Sequence, residues 1–266
     1  MEWHDEYDVV VVGSGAGGLV AAITSAYNGL NTVIIEKGNV WGGSSALSGG
    51  GLWIPNNHVS IKAGLQDSEE EALAYMQEII EDTGPASTYE RKEAYVKNGH
   101  KMVKFLEELG MKWVAGILYP DYYPEKTGGK IGRSIEAEIF DARILKEYEG
   151  TLRRGEIDPP IPLYSGKVAS LPKAFTNAKD FNTVVGMFMN GMKHKIKGSH
   201  AISIGGGLVA RLLKIAMDRN VPLLLSTPLK DLIIEEDKIV GVEAEKDGQP
   251  YFIKCKAVIL AGGGFE

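Results

Sequence analysis

A chain of 266 residues, 44% hydrophobic and 24% charged, is long enough for one large domain or two small ones, and its balance argues against wholesale disorder. Its net charge of −6 and pI near 5.5 argue against a nucleic-acid partner, because no basic face is evident to offset phosphate repulsion. The one cysteine, Cys255, leaves no internal disulfide, fits a reducing compartment, and reads as a small buried hydrophobe at a strand end.

The opening MEWHDEYDVVVV has no basic leader region, so no signal peptide is expected, and no apolar run approaches the ~20 residues that span a bilayer. A cytoplasmic location is the expectation. YDVVVVG, Tyr7 to Gly13, is a β-branched run ending in glycine, the pattern of a strand buried on both faces. AGGLVAAITSAYNGL follows at helical spacing and stops near Asn28-Gly29, a C-cap signal. NTVIIEK is a second short strand, so a βαβ unit of parallel strands occupies the start of the chain.

Two helices come next, each announced by a capping box: Ser68 with Glu71, then Ser87 with Glu90. Met111 to His200 reads as irregular, rich in proline, glycine and aromatics. Within it, VVGMFMNGMKHKIKG mixes methionines with lysines; it can serve as a membrane-surface or sterol-access element, although methionine is also ordinary core filler. His194 and His200 flank these lysines without metal-like spacing, and no metal site is expected. GGGLVARLLKIAMDRN restores a helix. Several short strands close the chain, with EEDK and KDGQ as their hairpin turns.

Glycine, 33 of 266 residues or about 12%, exceeds the usual level of roughly 7% and is clustered. Gly13-Ser14-Gly15-Ala16-Gly17-Gly18 matches G-x-G-x-x-G between a buried strand and a helix, and Glu36 ends the next strand. In that context Gly13 allows the tight turn, Gly15 lets backbone N–H groups approach a pyrophosphate, and Gly18 lets helix and strand pack closely. The helix N-terminus favours the negative charge, and Glu36 is placed to accept from an adenosine ribose. A second glycine block, WGGSSALSGGGLWIPNN, follows at once. A nicotinamide domain does not need it, whereas an extended FAD must be held along its length. AVILAGGG, Ala257 to Gly264, suits a second pass beside the phosphates.

This combination resembles the FAD-dependent flavoproteins of the fumarate reductase and succinate dehydrogenase superfamily, and within it most of all the 3-ketosteroid dehydrogenases. The resemblance rests on YDVVVVGSGAGG, EKGNVWGGSSALSGGGLWIPNN, YPDYYPE with GRSIE, and AVILAGGGFE. It implies an α/β fold: a Rossmann-like FAD-binding domain over residues 1–266, with a parallel sheet carrying the βαβ unit, a small antiparallel β-meander, and a helical and irregular excursion over 61–200. The implied FAD positions are Gly13, Gly15, Ala16, Gly17, Gly18, Glu36, Lys37, Gly42, Gly43, Ser44, Ser45, Ser48, Gly49, Gly50, Leu229, Ala261 and Gly262. Covalently flavinylated relatives carry a histidine in the second glycine block. None precedes Trp53 here and His58 follows the block, so non-covalent FAD is expected.

By the same resemblance, Pro120-Asp121-Tyr122-Tyr123 brings Tyr122 to the A ring of a steroid, beside the 3-keto group. There a proton passes to a base and a hydride to the flavin. A phenol is a poor base near neutral pH unless coupled to another hydroxyl, so Tyr122 is expected to assist a second tyrosine. The alternative is that Tyr119, Tyr122 and Tyr123 only pack a surface loop. Arg133 is expected to pin that loop electrostatically. Family members continue beyond the closing glycines, so the substrate-capping domain and the partner tyrosine are expected to lie outside this chain, which is then either a fragment or one polypeptide of a split enzyme. Expected partners are a hydrophobic steroid and, through the methionine-rich segment, a membrane surface. Two other readings stay open: a flavoprotein acting on unsaturated acids, and a non-catalytic FAD-binding subunit.

Overall fold

Val9–Val12, four consecutive valines, form the inner strand of a parallel sheet whose order is Ala257–Leu260, Val9–Val12, Thr32–Ile35 and Leu223–Leu224. Val10 pairs with Val33 on one side and with Val258 on the other. The computed structural model describes residues 2–155, 161–168 and 170–264. Phe265 and Glu266, the end of the AVILAGGGFE stretch, lie outside the described residues.

The helix Ala16–Tyr27 connects the first two strands of the βαβ unit and ends at Asn28, with Gly29 at φ +81°. The left-handed turn that stops it is the one glycine adopts freely. Leu229–Glu235, Lys238–Lys246 and Gln249–Lys254 form the antiparallel meander, and Asp5–Glu6 adds to its last strand. Both hairpin tips fall where expected, with positive φ at Glu236 and Asp237 and at Asp247 and Gly248. The meander packs on the parallel sheet: Val10, Val33 and Ile35 meet Val242, Ala244, Ile253 and Cys255 in one core. Burial there also pushes the Cys255 thiol up, which suits its structural reading. Helix Ile204–Met217 carries three glycines at its start. The backbone approaches so closely that a Cβ on Gly205 would lie 2.2 Å from the Ser45 carbonyl oxygen.

The chain divides into two compact units: Met1–Ser48 with Phe140–Asp158 and Gly205–Glu266, and Gly49–Ile139 with Pro159–Ile204. The excursion from the first unit therefore starts earlier than residue 61, and residues 140–158 return from it. The second unit is also more regular than its sequence reads. Leu52–Trp53, Ser134–Ala137 and Trp113–Ala115 form a three-stranded antiparallel sheet, and Ala178–Ile196 is a 19-residue helix. Strands this short show too few alternations to be recognised, and Gly186 and Gly191 weaken the helical signal.

The helix expected from Ser68 begins as expected, its hydroxyl accepting from the Glu71 N–H at 3.2 Å. The next helix is a correction. Thr88, not Ser87, caps Tyr89–Glu108, because the Ser87 hydroxyl is taken by the Thr83 N–H at 2.8 Å. No helix among the described residues is long and apolar enough to cross a membrane.

Candidate functional site: a glycine-walled cleft

The end of strand Val9–Val12 and the start of helix Ala16–Tyr27 meet in a loop with almost no room for side chains. Gly13, at φ +104°, donates its N–H to Ile35 O at 2.8 Å, and a Cβ there would sit 2.5 Å from the Ala261 carbonyl oxygen. A Cβ on Gly18 would sit 1.9 Å from the Gly13 carbonyl oxygen. Gly17 has nothing within 4 Å of its missing Cβ, so that side of the loop is open to a ligand. The helix has no acid in its first turn and no side-chain cap. No side chain of the helix's own first turn therefore competes with an anion for its dipole.

Ser14 is the structural centre of this loop, and the motif, which leaves that position variable, gives no signal of it. Its fully buried hydroxyl donates to Glu36 Oε2 at 2.5 Å and accepts from the Gly42 N–H at 3.0 Å, joining the two glycine blocks. Glu36 also accepts from the Ser14 N–H at 3.0 Å and, through Oε1, from the Gly38 N–H at 2.9 Å. The carboxylate expected to meet a ribose first braces the loop. A carboxylate has about four acceptor sites, so it keeps capacity for a ribose hydroxyl. The Ser45 hydroxyl accepts from the Ala16 N–H at 3.1 Å, and helix Gly43–Leu47 starts at Gly42, φ +106°.

The result is a cleft of about 420 Å³ lined by Gly13 to Gly17, Glu36, Lys37, Gly43 to Ser45, Arg153 and Ala261 to Gly264. It gathers eleven of the expected FAD positions: Gly13, Gly15, Ala16, Gly17, Glu36, Lys37, Gly43, Ser44, Ser45, Ala261 and Gly262. Gly18, Gly42 and Ser48 belong to the same unit but support the cleft from behind. Leu229 opens the meander and packs its side chain on the core. Gly49, Gly50 and Tyr122 belong to the second unit. Gly263 and Gly264, from the AVILAGGG stretch, also line the cleft, and so does Arg153, which was not singled out. No group of three or more metal-type ligands occurs among the described residues.

In the second unit, the tyrosine loop is held by a buried ion cluster. Arg133, fully buried, donates from Nη1 to Asp121 at 2.9 Å and from Nη2 to Asp67 at 2.8 Å. Its guanidinium lies 5.7 Å from the ring centroids of both Trp53 and Tyr75. Asp121 also accepts from Trp53 Nε1 at 2.7 Å and the Lys130 N–H at 2.9 Å. The Tyr75 hydroxyl accepts from the Tyr123 N–H at 3.1 Å, and burial pushes that phenol up. The clamp stops at the backbone: Tyr122 is 92% exposed and Tyr123 is 52% exposed. The pinning role expected of Arg133 is present, with Asp67, Trp53 and Tyr75 as partners the sequence did not mark.

The family model for an FAD binding domain matches residues 8–266. The chain belongs to this FAD binding domain family. Its glycine-walled cleft, with Lys37 and Arg153 beside Glu36, fits the cofactor that the family name states, FAD. The domain is 37% identical to a 3-oxosteroid 1-dehydrogenase of Mycolicibacterium smegmatis, over 98% of this chain and 47% of that protein. It is 44% identical to a 4-oxocyclohexanecarboxylate 2-dehydrogenase of Sinomonas cyclohexanicum, over 98% of this chain and 44% of that one. Among solved structures, a 3-ketosteroid delta1-dehydrogenase from Sterolibacterium denitrificans in complex with 1,4-androstadiene-3,17-dione superposes with a TM-score of 0.82 at 29% identity. That match covers 98% of this chain and 48% of that chain. The FAD binding domain thus spans about half the length of the curated relatives it matches.

Proposed function

We propose that this FAD binding domain is the flavin-holding part of a dehydrogenase that introduces a C=C bond beside the ketone of a 3-ketosteroid. The observation that carries the reading is similarity to steroid dehydrogenases along 98% of the chain. When bound, FAD supplies a hydride acceptor. The glycine loops hold its phosphates by backbone N–H groups, without a covalent link, and acid precipitation should leave the flavin in the supernatant. Tyr122, projecting from a clamped loop, assists a base supplied by the remainder of the enzyme. A second reading has its own support in the 44% identity to the Sinomonas protein: a small cyclic keto acid as substrate. Both readings desaturate a ring next to a ketone.

The chain spans about half the length of its relatives, and the remainder of the enzyme is supplied from outside these 266 residues, by a second polypeptide or by a longer form of the same chain. Strand Ala257–Leu260 is an edge of the parallel sheet, and Leu260 is 64% exposed. The N–H groups of Ala257 and Ala261 point inward, to Asp8 O and Val12 O. Those of Val258 and Leu260 alternate outward, where a further parallel strand would accept them. The 266-residue chain alone should give no dye reduction with 4-androstene-3,17-dione or with 4-oxocyclohexanecarboxylate, whereas the assembly from its own host should act on the steroid. Tyr122→Phe in that assembly should lower kcat about 100-fold, the scale of one general acid–base group. Full turnover by the isolated chain would remove the need for that remainder, and preference of the assembly for the keto acid would remove the steroid.

Helix Ala178–Ile196 is the candidate for contact with a membrane surface. Met187 is buried and acts as filler, but Phe188, Met189, Met192 and Ile196 are exposed by 54%, 63%, 57% and 81%. Lys193, His194 and Lys195 fill its last turn. An apolar stripe beside basic residues suits an anionic lipid surface, from which an apolar steroid is available. Flotation with phosphatidylserine vesicles should carry the protein up, and Phe188→Glu with Met192→Glu should abolish it. Equal flotation of the two proteins would exclude this helix as the contact.

A further inference from the structure

The charge that holds the FAD diphosphate need not come from the glycine motifs. Backbone N–H groups and a helix dipole supply partial charges only, and the carboxylate lining this cleft, Glu36, adds a full negative one. Two cations line the same cleft. Lys37 follows Glu36 directly, at the end of strand Thr32–Ile35. Arg153 comes from elsewhere in the chain, more than a hundred residues after the start of the second glycine block, and no glycine pattern points to it.

The position of Arg153 is built. Trp41, fully buried, donates its N–H to Thr151 O at 2.8 Å and its Nε1 to Tyr148 O at 2.9 Å. The Arg153 N–H donates back to Trp41 O at 2.8 Å, so the two segments form a short parallel bridge. Leu152, between them, is buried, with its methyl 3.3 Å from where a Cβ on Gly42 would stand. The bridge therefore locks the backbone of Arg153 to the residue that opens the second glycine block, while its side chain stays exposed at the cleft wall. Arg153 makes no ion pair among the described residues.

We propose that Arg153 is an FAD-binding residue whose guanidinium pairs with the cofactor's diphosphate. Lining side chains then sum to one net positive charge, Lys37 and Arg153 against Glu36, facing a doubly anionic group. A guanidinium fork matches phosphate oxygens in pairs, which an ammonium cannot do. The proposal rests on the FAD assignment and adds to it a residue that the glycine loops do not contain.

The test is a titration of flavin-free protein with FAD by flavin fluorescence, and with ADP and riboflavin by calorimetry. Arg153→Ala should weaken FAD and ADP by about tenfold and leave riboflavin unchanged, and Arg153→Lys should recover part of the loss. The loss should also shrink as salt rises, since the pair is solvent-exposed. Because the side chain is exposed, thermal unfolding of Arg153→Ala without ligand should match that of the unchanged protein. Equal FAD and ADP affinity in Arg153→Ala would overturn the proposal, as would a loss shared by riboflavin. An unchanged protein that binds neither FAD nor ADP would instead remove the assignment of this cleft to FAD, and the proposal with it.

Discussion

Gly18→Ala is expected to yield protein without FAD and with a sharply lowered Tm. The added methyl would stand 1.9 Å from the Gly13 carbonyl oxygen, in the turn that aims the loop at the cofactor. That oxygen belongs to backbone held on one side by the Gly13 N–H bond to Ile35 and on the other by Ala261. It cannot swing away as a side chain would, so helix and strand must separate. Overpacking of this kind costs about 1–3 kcal/mol where neighbours can yield, and more where they cannot. Gly17→Ala is the control. Its methyl meets nothing within 4 Å, and alanine in a helix is preferred to glycine by about 0.8–1.0 kcal/mol. That variant should fold at least as stably and lose affinity only, because it fills the open face. If the two variants melted alike, close packing behind the loop would not be what Gly18 supplies.

The second large effect is expected in the other unit. Arg133→Met should destabilise it by about 3–5 kcal/mol, the usual consequence of leaving buried charge unpaired. Asp67 and Asp121 are both buried around the one guanidinium, with side-chain exposures of 0% and 1%. Their remaining bonds come from the N–H groups of Asn56 and Ser68, and from Lys130 and Trp53. These satisfy oxygens without cancelling charge. Arg133→Lys should be nearly as damaging, since one ammonium cannot reproduce the double contact to Asp67 and the single one to Asp121. Proteolysis within residues 116–132 should accelerate in both variants. Unchanged melting of Arg133→Met would show that the cluster is not a clamp. The tyrosine loop would then be held by its aromatic contacts alone.

How far the sequence could be read depends on the range of each interaction. Gly13, Gly15 and Gly18 were legible because a strand, a turn and a helix lie in one uninterrupted stretch, where steric demands are local. The hairpin tips at Asp237 and Asp247 were legible for the same reason. Ser14 was not, since its value comes from bonds to Glu36 and Gly42, which only the folded loop assembles. Arg153 was invisible because Trp41 places it through a backbone bridge across more than a hundred residues. The capping hydroxyl was misassigned between Ser87 and Thr88 because both fit the local pattern. Only the competing bond to Thr83 separates them. In the second unit, strands of two to four residues carry no readable period, so its small sheet emerged only from pairing.

The parallel sheet also sets the order in which the molecule can come into being. Val9 pairs with Ala257, and Asp5 with Ile253, so the first strand made is the last to be completed. At ordinary rates of synthesis the ribosome needs roughly 10 to 50 s to travel between those partners. Meanwhile Val9–Val12 can pair only with Thr32–Ile35, and its other edge waits as an adhesive row of valines. Such long-range closure makes folding slow and leaves a window for aggregation. The cell must shield this edge during translation, and high-level expression should favour insoluble chains unless growth is cooled or chaperones are raised.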